Sequence, residues 1–312
     1  MTPSLSVLIT YWNDGAFLRE CLSSLTAQTE PPDEILVYDD GSAEPADRYI
    51  PPGSTARVIR ADINLGPSHS RNVLFGQSSG DYVHFHDSDD LFKPQWAERV
   101  RQEIRRAGAE IIITDGEFWN ETTKIIPSLQ LERLAQERDL VKYFIEEWIT
   151  LAMVTFHRKS VLPLGGFRET LRWCEDWHYN IRAAALNMRF SLIHEPLVTY
   201  RMRTASYGNT PIMRARYRIE AVRLLLSDLP PKYRPYLAEV VARCSSTFFD
   251  LQLYPEAREA FRFALKIGPP AFKGRSKVYR WAVNLFGLDV AERAGALYRQ
   301  VVPKKLRVLL KQ

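Results

Sequence analysis

Cysteine is scarce in this 312-residue chain, which holds only Cys21, Cys174 and Cys244. Three thiols so far apart form neither a zinc spacing nor a disulfide framework, which fits a reducing compartment. Long apolar runs are missing too. The longest uncharged one, around Ile149 to Phe156, falls far short of the roughly 20 residues that a membrane-spanning helix needs. The segment Ser4 to Thr10 is short and has no basic stretch before it, unlike a secretory signal. A cytoplasmic location is therefore expected, with at most peripheral attachment at the inner face of a membrane.

What is present is divided by charge. From Asn209 onward the chain carries 20 Lys plus Arg against 8 Asp plus Glu, whereas residues 1 to 208 carry 22 against 29. Gly208 and Pro211 punctuate the change, so two domains are expected, 1–208 and 209–312. In the second, Arg216 to Leu226, Tyr236 to Leu251, Glu256 to Ile267 and Lys277 to Leu285 have helical apolar spacing with basic faces. The stretch Tyr254 to Pro269 faintly resembles half of a tetratricopeptide unit, but no second copy follows, so an ordinary helical hairpin is expected. No nucleic-acid-binding module is visible, and nucleic acid is not an expected partner. The basic helices suit an anionic membrane surface or a lipid-linked acceptor; alternatively their apolar faces pack internally and the charges are solvated.

The first domain alternates short apolar runs with helix-length segments, the pattern of a mostly parallel α/β sheet flanked by helices. Strands are expected at Ser6 to Thr10, Glu34 to Tyr38, Ala56 to Arg60, Tyr82 to His86, Ile111 to Thr114, Met153 to His157 and Phe190 to Tyr200. Helices are expected at Pro67 to Gln77, Pro94 to Ala107, Glu132 to Glu147 and Glu175 to Leu186. Such sheets bind ligands beyond the carboxyl ends of their strands, where Thr10, Trp12, Asp40 and Asp89 fall.

The most informative run is Asp87-Ser88-Asp89-Asp90, directly after a strand. Three carboxylates in four residues repel one another and favour a cation. Oxygen ligands with few soft donors nearby suit a hard divalent ion, Mn2+ or Mg2+. The alternative is a solvated acidic loop ahead of a helix. His84 and His86 share one strand face and read as core histidines rather than ligands.

Taken in order, Ser6-Val7-Leu8-Ile9-Thr10, Asp39-Asp40-Gly41-Ser42, Gly66 to Asn72, Gly80-Asp81-Tyr82, Asp87-Ser88-Asp89-Asp90, Leu164-Gly165-Gly166-Phe167 and Glu175-Asp176 resemble the family 2 inverting glycosyltransferases with the GT-A fold. The resemblance covers about residues 4 to 206 and leaves the last hundred outside. It implies transfer of a sugar from a nucleotide sugar, a UDP-sugar first, to a hydroxyl acceptor on a saccharide or lipid-linked saccharide. It implies Asp89 as metal ligand, Asp87 near the ribose or bound through water, and Ser88 on the same nucleotide-sugar side. Asp40 is implied as acceptor from the base, with Thr10 and Trp12 as pocket wall. Arg71 reaches either a carboxylate or the nucleotide. Asp176 is implied as general base, or else only caps its helix. Trp173 is a candidate acceptor contact or a core residue. Family members often carry a histidine metal ligand where this chain has Arg203, which cannot ligate a metal but can pair with phosphate. A non-catalytic nucleotide-sugar binder on the same fold is the rival reading. A nucleotidyltransferase is disfavoured, because Tyr11 to Phe17 holds one glycine and no Lys or Arg.

Overall fold

In a computed structural model of the chain, residues 3–120, 125–127, 131–137, 139–202, 210–270, 290 and 292–294 are described. The chain divides into two compact units, Met1–Asn209 and Thr210–Gln312.

The first unit is built on one mixed sheet with strands β1 (Leu5–Tyr11), β2 (Glu34–Asp39), β3 (Arg57–Arg60), β4 (Tyr82–Asp87), β5 (Leu91–Phe92), β6 (Ile111–Asn120), β7 (Ile125–Pro127), β8 (Val154–His157) and β9 (Phe190–Met202). Their order is β3-β2-β1-β4-β8-β6-β9-β5, with β7 beside β6. The α/β class is as expected. Parallel pairing joins β3, β2, β1 and β4, while β8 runs antiparallel to β4 and β6. Helices α1 (Gly15–Thr26), α2 (Pro67–Gln77), α3 (Trp96–Ala107), α4 (Leu131–Gln136), α5 (Leu140–Glu146), α6 (Arg158–Val161) and α7 (Glu175–Ala185) accompany the sheet.

β1 is central and nearly continuous in apolar residues; Leu5, Val7, Leu8 and Ile9 have no exposed surface, as a strand covered on both faces requires. Its register decides what meets at the sheet's edge. Tyr11 pairs with Asp39 of β2 and Thr10 with Asp87 of β4, so three strands end together. His84 and His86 are buried as core residues, with Nε2 of one 3.3 Å from Nδ1 of the other. The His84 ring lies 4.5 Å from the Trp96 ring, and His86 stacks on Phe92 at 3.8 Å.

Several boundaries depart from expectation. β6 is ten residues long because it pairs with β9 out to Asn120 and Met202, beyond its β-branched start. The expected helix over Glu132 to Glu147 is two helices, α4 and α5, and the second is capped by Asp139, whose side chain accepts from the Lys142 amide. α3 starts two residues after Pro94, since Leu91 and Phe92 join β9.

The second unit contains α8 (Pro211–Asp228), α9 (Arg234–Asp250) and α10 (Tyr254–Ile267). α9 and α10 form the expected hairpin: Ser245 Oγ donates to the Ala257 carbonyl at 2.7 Å, and Ala257, Ala260 and Ala264 are buried. Arg214, Arg216, Arg223, Arg234, Arg243, Arg258, Arg262 and Lys266 are exposed. The expected helix at Lys277 to Leu285 lies outside the described residues. No described helix is long and apolar enough to cross a membrane.

Trp96, fully buried between His84 and Phe92, is the largest of the wholly buried side chains. Trp96→Ala is expected to cost about 3–5 kcal/mol, the usual loss for a buried aromatic, read as a lower urea midpoint with an unchanged slope.

Candidate active site

The site is assembled from the ends of β1, β2 and β4 and the starts of α2 and α7. Asp39 and Asp40 close β2 in different roles. Asp39 is fully buried; it accepts from the Ser42 and Ala46 amides and pairs with Arg60 at 3.0 Å, so it holds the turn. Asp40 accepts from the Leu65 and Gly66 amides, each at 2.8 Å, and each of its oxygens retains a lone pair. That grip fixes the entry to α2, where Gly66 has φ +93°, a region that favours glycine.

α2 delivers Arg71 into the interior with its side chain 4% exposed. One nitrogen donates to Asp87 and another to Glu175, both at 2.7 Å, while Nε is buried without a partner. Asp87 also accepts from the Thr10 hydroxyl at 3.1 Å. Burial pushes the Asp87 carboxyl up, but Arg71 outweighs it and leaves the group below its ordinary value. Glu175 goes the other way: burial, opposed by Arg71 and reinforced by Asp176, raises it to about 7.

The loop after β4 turns back as β5, which pairs with β9 through Leu91–Thr199. Ser88 is buried and its amide donates to the Thr10 carbonyl at 3.2 Å. Asp89 is half-buried. Asp90 is buried; one oxygen accepts the Arg201 amide at 2.9 Å and the other has no partner. Burial and then the charges of Asp89 and Asp87 push its carboxyl well up. The Arg201 guanidinium lies 4.9 Å from the Phe17 ring and 5.1 Å from that of Trp119, a buried cation beside the acidic loop.

α7 begins after Cys174, held at φ +61°, a strained conformation for a residue with a Cβ. Asp176 is half-buried; its Oδ1 accepts the Trp177 amide at 2.6 Å and its Oδ2 accepts Trp148 Nε1 at 2.8 Å. Burial raises its carboxyl above the ordinary aspartate value. The turn ahead of α7 works as expected, with Gly165 and Gly166 at φ +65° and +84°. A Cβ on Gly166 would stand 2.4 Å from Asn72 Oδ1, the atom that accepts the Phe167 amide.

The expected residues Thr10, Arg71, Asp87, Ser88 and Asp89 thus gather at one edge, and Arg71 ties them to the helix that carries Asp176. Trp12 is 52% exposed at the end of β1, and Trp173 is half-buried. Arg203 lies outside the described residues. Sequence reasoning assigned no role to Glu175, Trp148, Phe118 or Tyr200. Glu175 stood in the quoted motif beside Asp176, and Tyr200 stood in the stretch leading to Arg203, whereas Trp148 and Phe118 belong to no motif. Burial and the charges of Asp90, Asp87, Asp176 and Asp89 all push the Tyr200 phenol up. Among the described residues, no three of His, Cys, Asp and Glu are grouped to hold a metal ion. A magnesium-like ion would take one or two protein carboxylates and fill its shell with water and phosphate, and the half-buried Asp89 carries a carboxylate of that kind.

The model of "Glycosyl transferase family 2" matches residues 6–194, and the chain belongs to that family. Glycosyltransferase AglE of Haloferax volcanii is 32% identical over 207 residues, covering 62% of this chain and 65% of that protein. The chain spans less than two thirds of the length of its first curated relatives, 62% and 61%. The crystal structure of S. aureus TarS 1-349 in complex with UDP-GlcNAc superposes with a TM-score of 0.68 at 18% identity, covering 95% of this chain and 92% of that one. The mannosyltransferase PcManGT from Pyrobaculum calidifontis, in complex with GDP-Man and Mn2+, superposes at 0.59 with 17% identity, covering 96% and 88%. These likenesses establish the GT-A-like fold.

Arg71→Met is expected to destabilise the protein by about 3–5 kcal/mol, because it strands the buried Glu175 carboxylate without its cation. Urea unfolding checks this. Glu175→Gln in the same background should recover part of the loss, since a neutral amide needs no counter-charge.

Proposed function

We propose that the chain is an active inverting glycosyltransferase, transferring a hexosyl unit from a nucleotide sugar, a UDP-sugar first, to a hydroxyl of a saccharide or lipid-linked saccharide. The observation that carries this reading is the bridge from Asp87 through Arg71 to Glu175, which ties a donor-side acidic loop to a helix opening with a carboxylate of raised basicity. A passive nucleotide-sugar binder needs the first half of that arrangement but not the second. The nucleotide sugars held by TarS and PcManGT support the donor class.

In this reading Asp40, Thr10, Trp12, Asp87 and Ser88 receive the nucleotide, and Asp89 with the donor's diphosphate holds Mn2+ or Mg2+. Bound there, the ion supplies Lewis-acid screening of charge on the departing nucleoside diphosphate. Asp176 takes the proton of the acceptor hydroxyl, a poor nucleophile until then. Arg71 acts by holding Asp87 and Glu175 in place, and Arg203 is a candidate phosphate partner.

Asp89→Ala is expected to abolish metal-stimulated turnover in a donor-hydrolysis or transfer assay, and full activity in that variant would sink the metal role. Asp176→Asn should still bind donor, seen as a thermal shift, while losing transfer. If donor affinity collapses instead, the residue holds the nucleotide or the fold.

Residues 1–208 form the catalytic domain in this reading, and the basic segment 209–312 attaches it to an anionic membrane surface. The exposed arginines of α8 to α10 support that assignment, since each basic residue near such a surface contributes about 1 kcal/mol. Flotation with anionic vesicles should show binding that weakens in high salt. Absence of binding at low salt would leave these helices as packing elements.

A further inference from the structure

Trp148 stands in no motif, yet the fold fixes it beside the candidate base. Trp177 Nε1 donates to the Phe144 carbonyl at 2.7 Å, and Asn180 Nδ2 donates to the Ile149 carbonyl at 2.9 Å. α7 therefore grips the main chain on both sides of Trp148 and carries Asp176 on the same turn. The Trp148 indole N–H donates to Asp176 Oδ2 at 2.8 Å, while the residue stays 36% exposed.

Two further rings complete a wall. Phe118 of β6 and Tyr200 of β9 are paired in register, with centroids 5.4 Å apart. Trp148 lies 5.4 Å from Tyr200 and 6.4 Å from Phe118. The wall adjoins the acidic loop, where Asp90 accepts the amide of Arg201 next to Tyr200, and meets the base through the Trp148 N–H. An aromatic surface edged by one carboxylate matches a pyranose, which has an apolar C–H face and hydroxyls around its rim. An open-chain polyol or a lipid phosphate presents no such face.

We propose that Trp148, Phe118 and Tyr200 form the acceptor platform, that the acceptor is a pyranose unit, and that the Trp148 N–H positions Asp176 toward its hydroxyl. This rests on the reading of Asp176 as base. The acceptor oxygen bonds to the anomeric carbon, and its proton passes to Asp176. The anomeric C–O bond to diphosphate breaks, and its electron pair leaves with the nucleoside diphosphate.

The groups bearing on the Asp176 charge are Arg71, Asp87, the Trp177 amide and Trp148, with Glu175 adjoining and the Tyr200 phenol coupled to it by charge. Only Trp148 is changed in the test. Saturation-transfer NMR on the full chain, with UDP and Mn2+ present, uses the methyl pyranosides of glucose, galactose, mannose and N-acetylglucosamine against glucitol and glycerol phosphate. At least one pyranoside should receive saturation from aromatic protons, with that signal lost in Trp148→Leu and kept in Trp148→Phe. No pyranoside signal, an equal signal from glucitol or glycerol phosphate, or one that survives Trp148→Leu overturns the platform.

Positioning is read separately on protein carrying carbon-13 aspartate carboxyls, with Asp176 assigned by its loss in Asp176→Asn. Trp148→Phe should move its titration midpoint to higher pH, because the lost donor favoured the ionised form. An unmoved or lowered midpoint overturns the positioning role. Neither readout needs turnover, so a chain that transfers no sugar would sink the proposed function and leave both results standing.

Discussion

The first unit's site depends on a single buried guanidinium. Arg71 comes from α2, Asp87 from the end of β4 and Glu175 from the start of α7, and hydrogen bonds from Arg71 join all three. Two charge-assisted hydrogen bonds of 2.7 Å compensate the desolvation of three ionisable groups only while every partner is present. The same bridge sets opposite tendencies at its ends. Arg71 keeps Asp87 ionised, whereas burial and Asp176 leave Glu175 reluctant to ionise.

The acidic loop shows what such a site costs in stability. Asp87, Asp89 and Asp90 sit together where a strand leaves the core, and Asp90 has an oxygen buried without a partner. Local repulsion is contained from outside the loop: β5 is clamped to β9, the Arg201 amide takes one Asp90 oxygen, and the Arg201 guanidinium lies nearby. Carboxylates gathered in this way against their mutual repulsion weigh on the stability of the fold.

Much of this was legible in the chain. Short apolar runs marked the strands, and closely spaced carboxylates stood at their exits. The ordered motifs carried the family, and the adjacent glycines ahead of α7 marked the turn. Reading failed where a contact joins distant positions. The length of β6 was hidden because its second half is stabilised by β9, some eighty residues away. Arg71 was left between a carboxylate and the nucleotide because spacing says nothing about which of two acidic segments folds onto it.

The sequence by itself determined the class of fold, the family and the edge where chemistry belongs, because periodicity and short acidic motifs are local properties of the chain. Tertiary structure alone decided which residues share that edge. Thr10 meets Asp87 through sheet register, Arg71 bridges segments sixteen and more than a hundred positions away, and Trp148 reaches Asp176 across twenty-eight. The reason is physical. Such partners are selected by packing and by the need of buried polar groups for one another, and neither leaves a pattern along the chain.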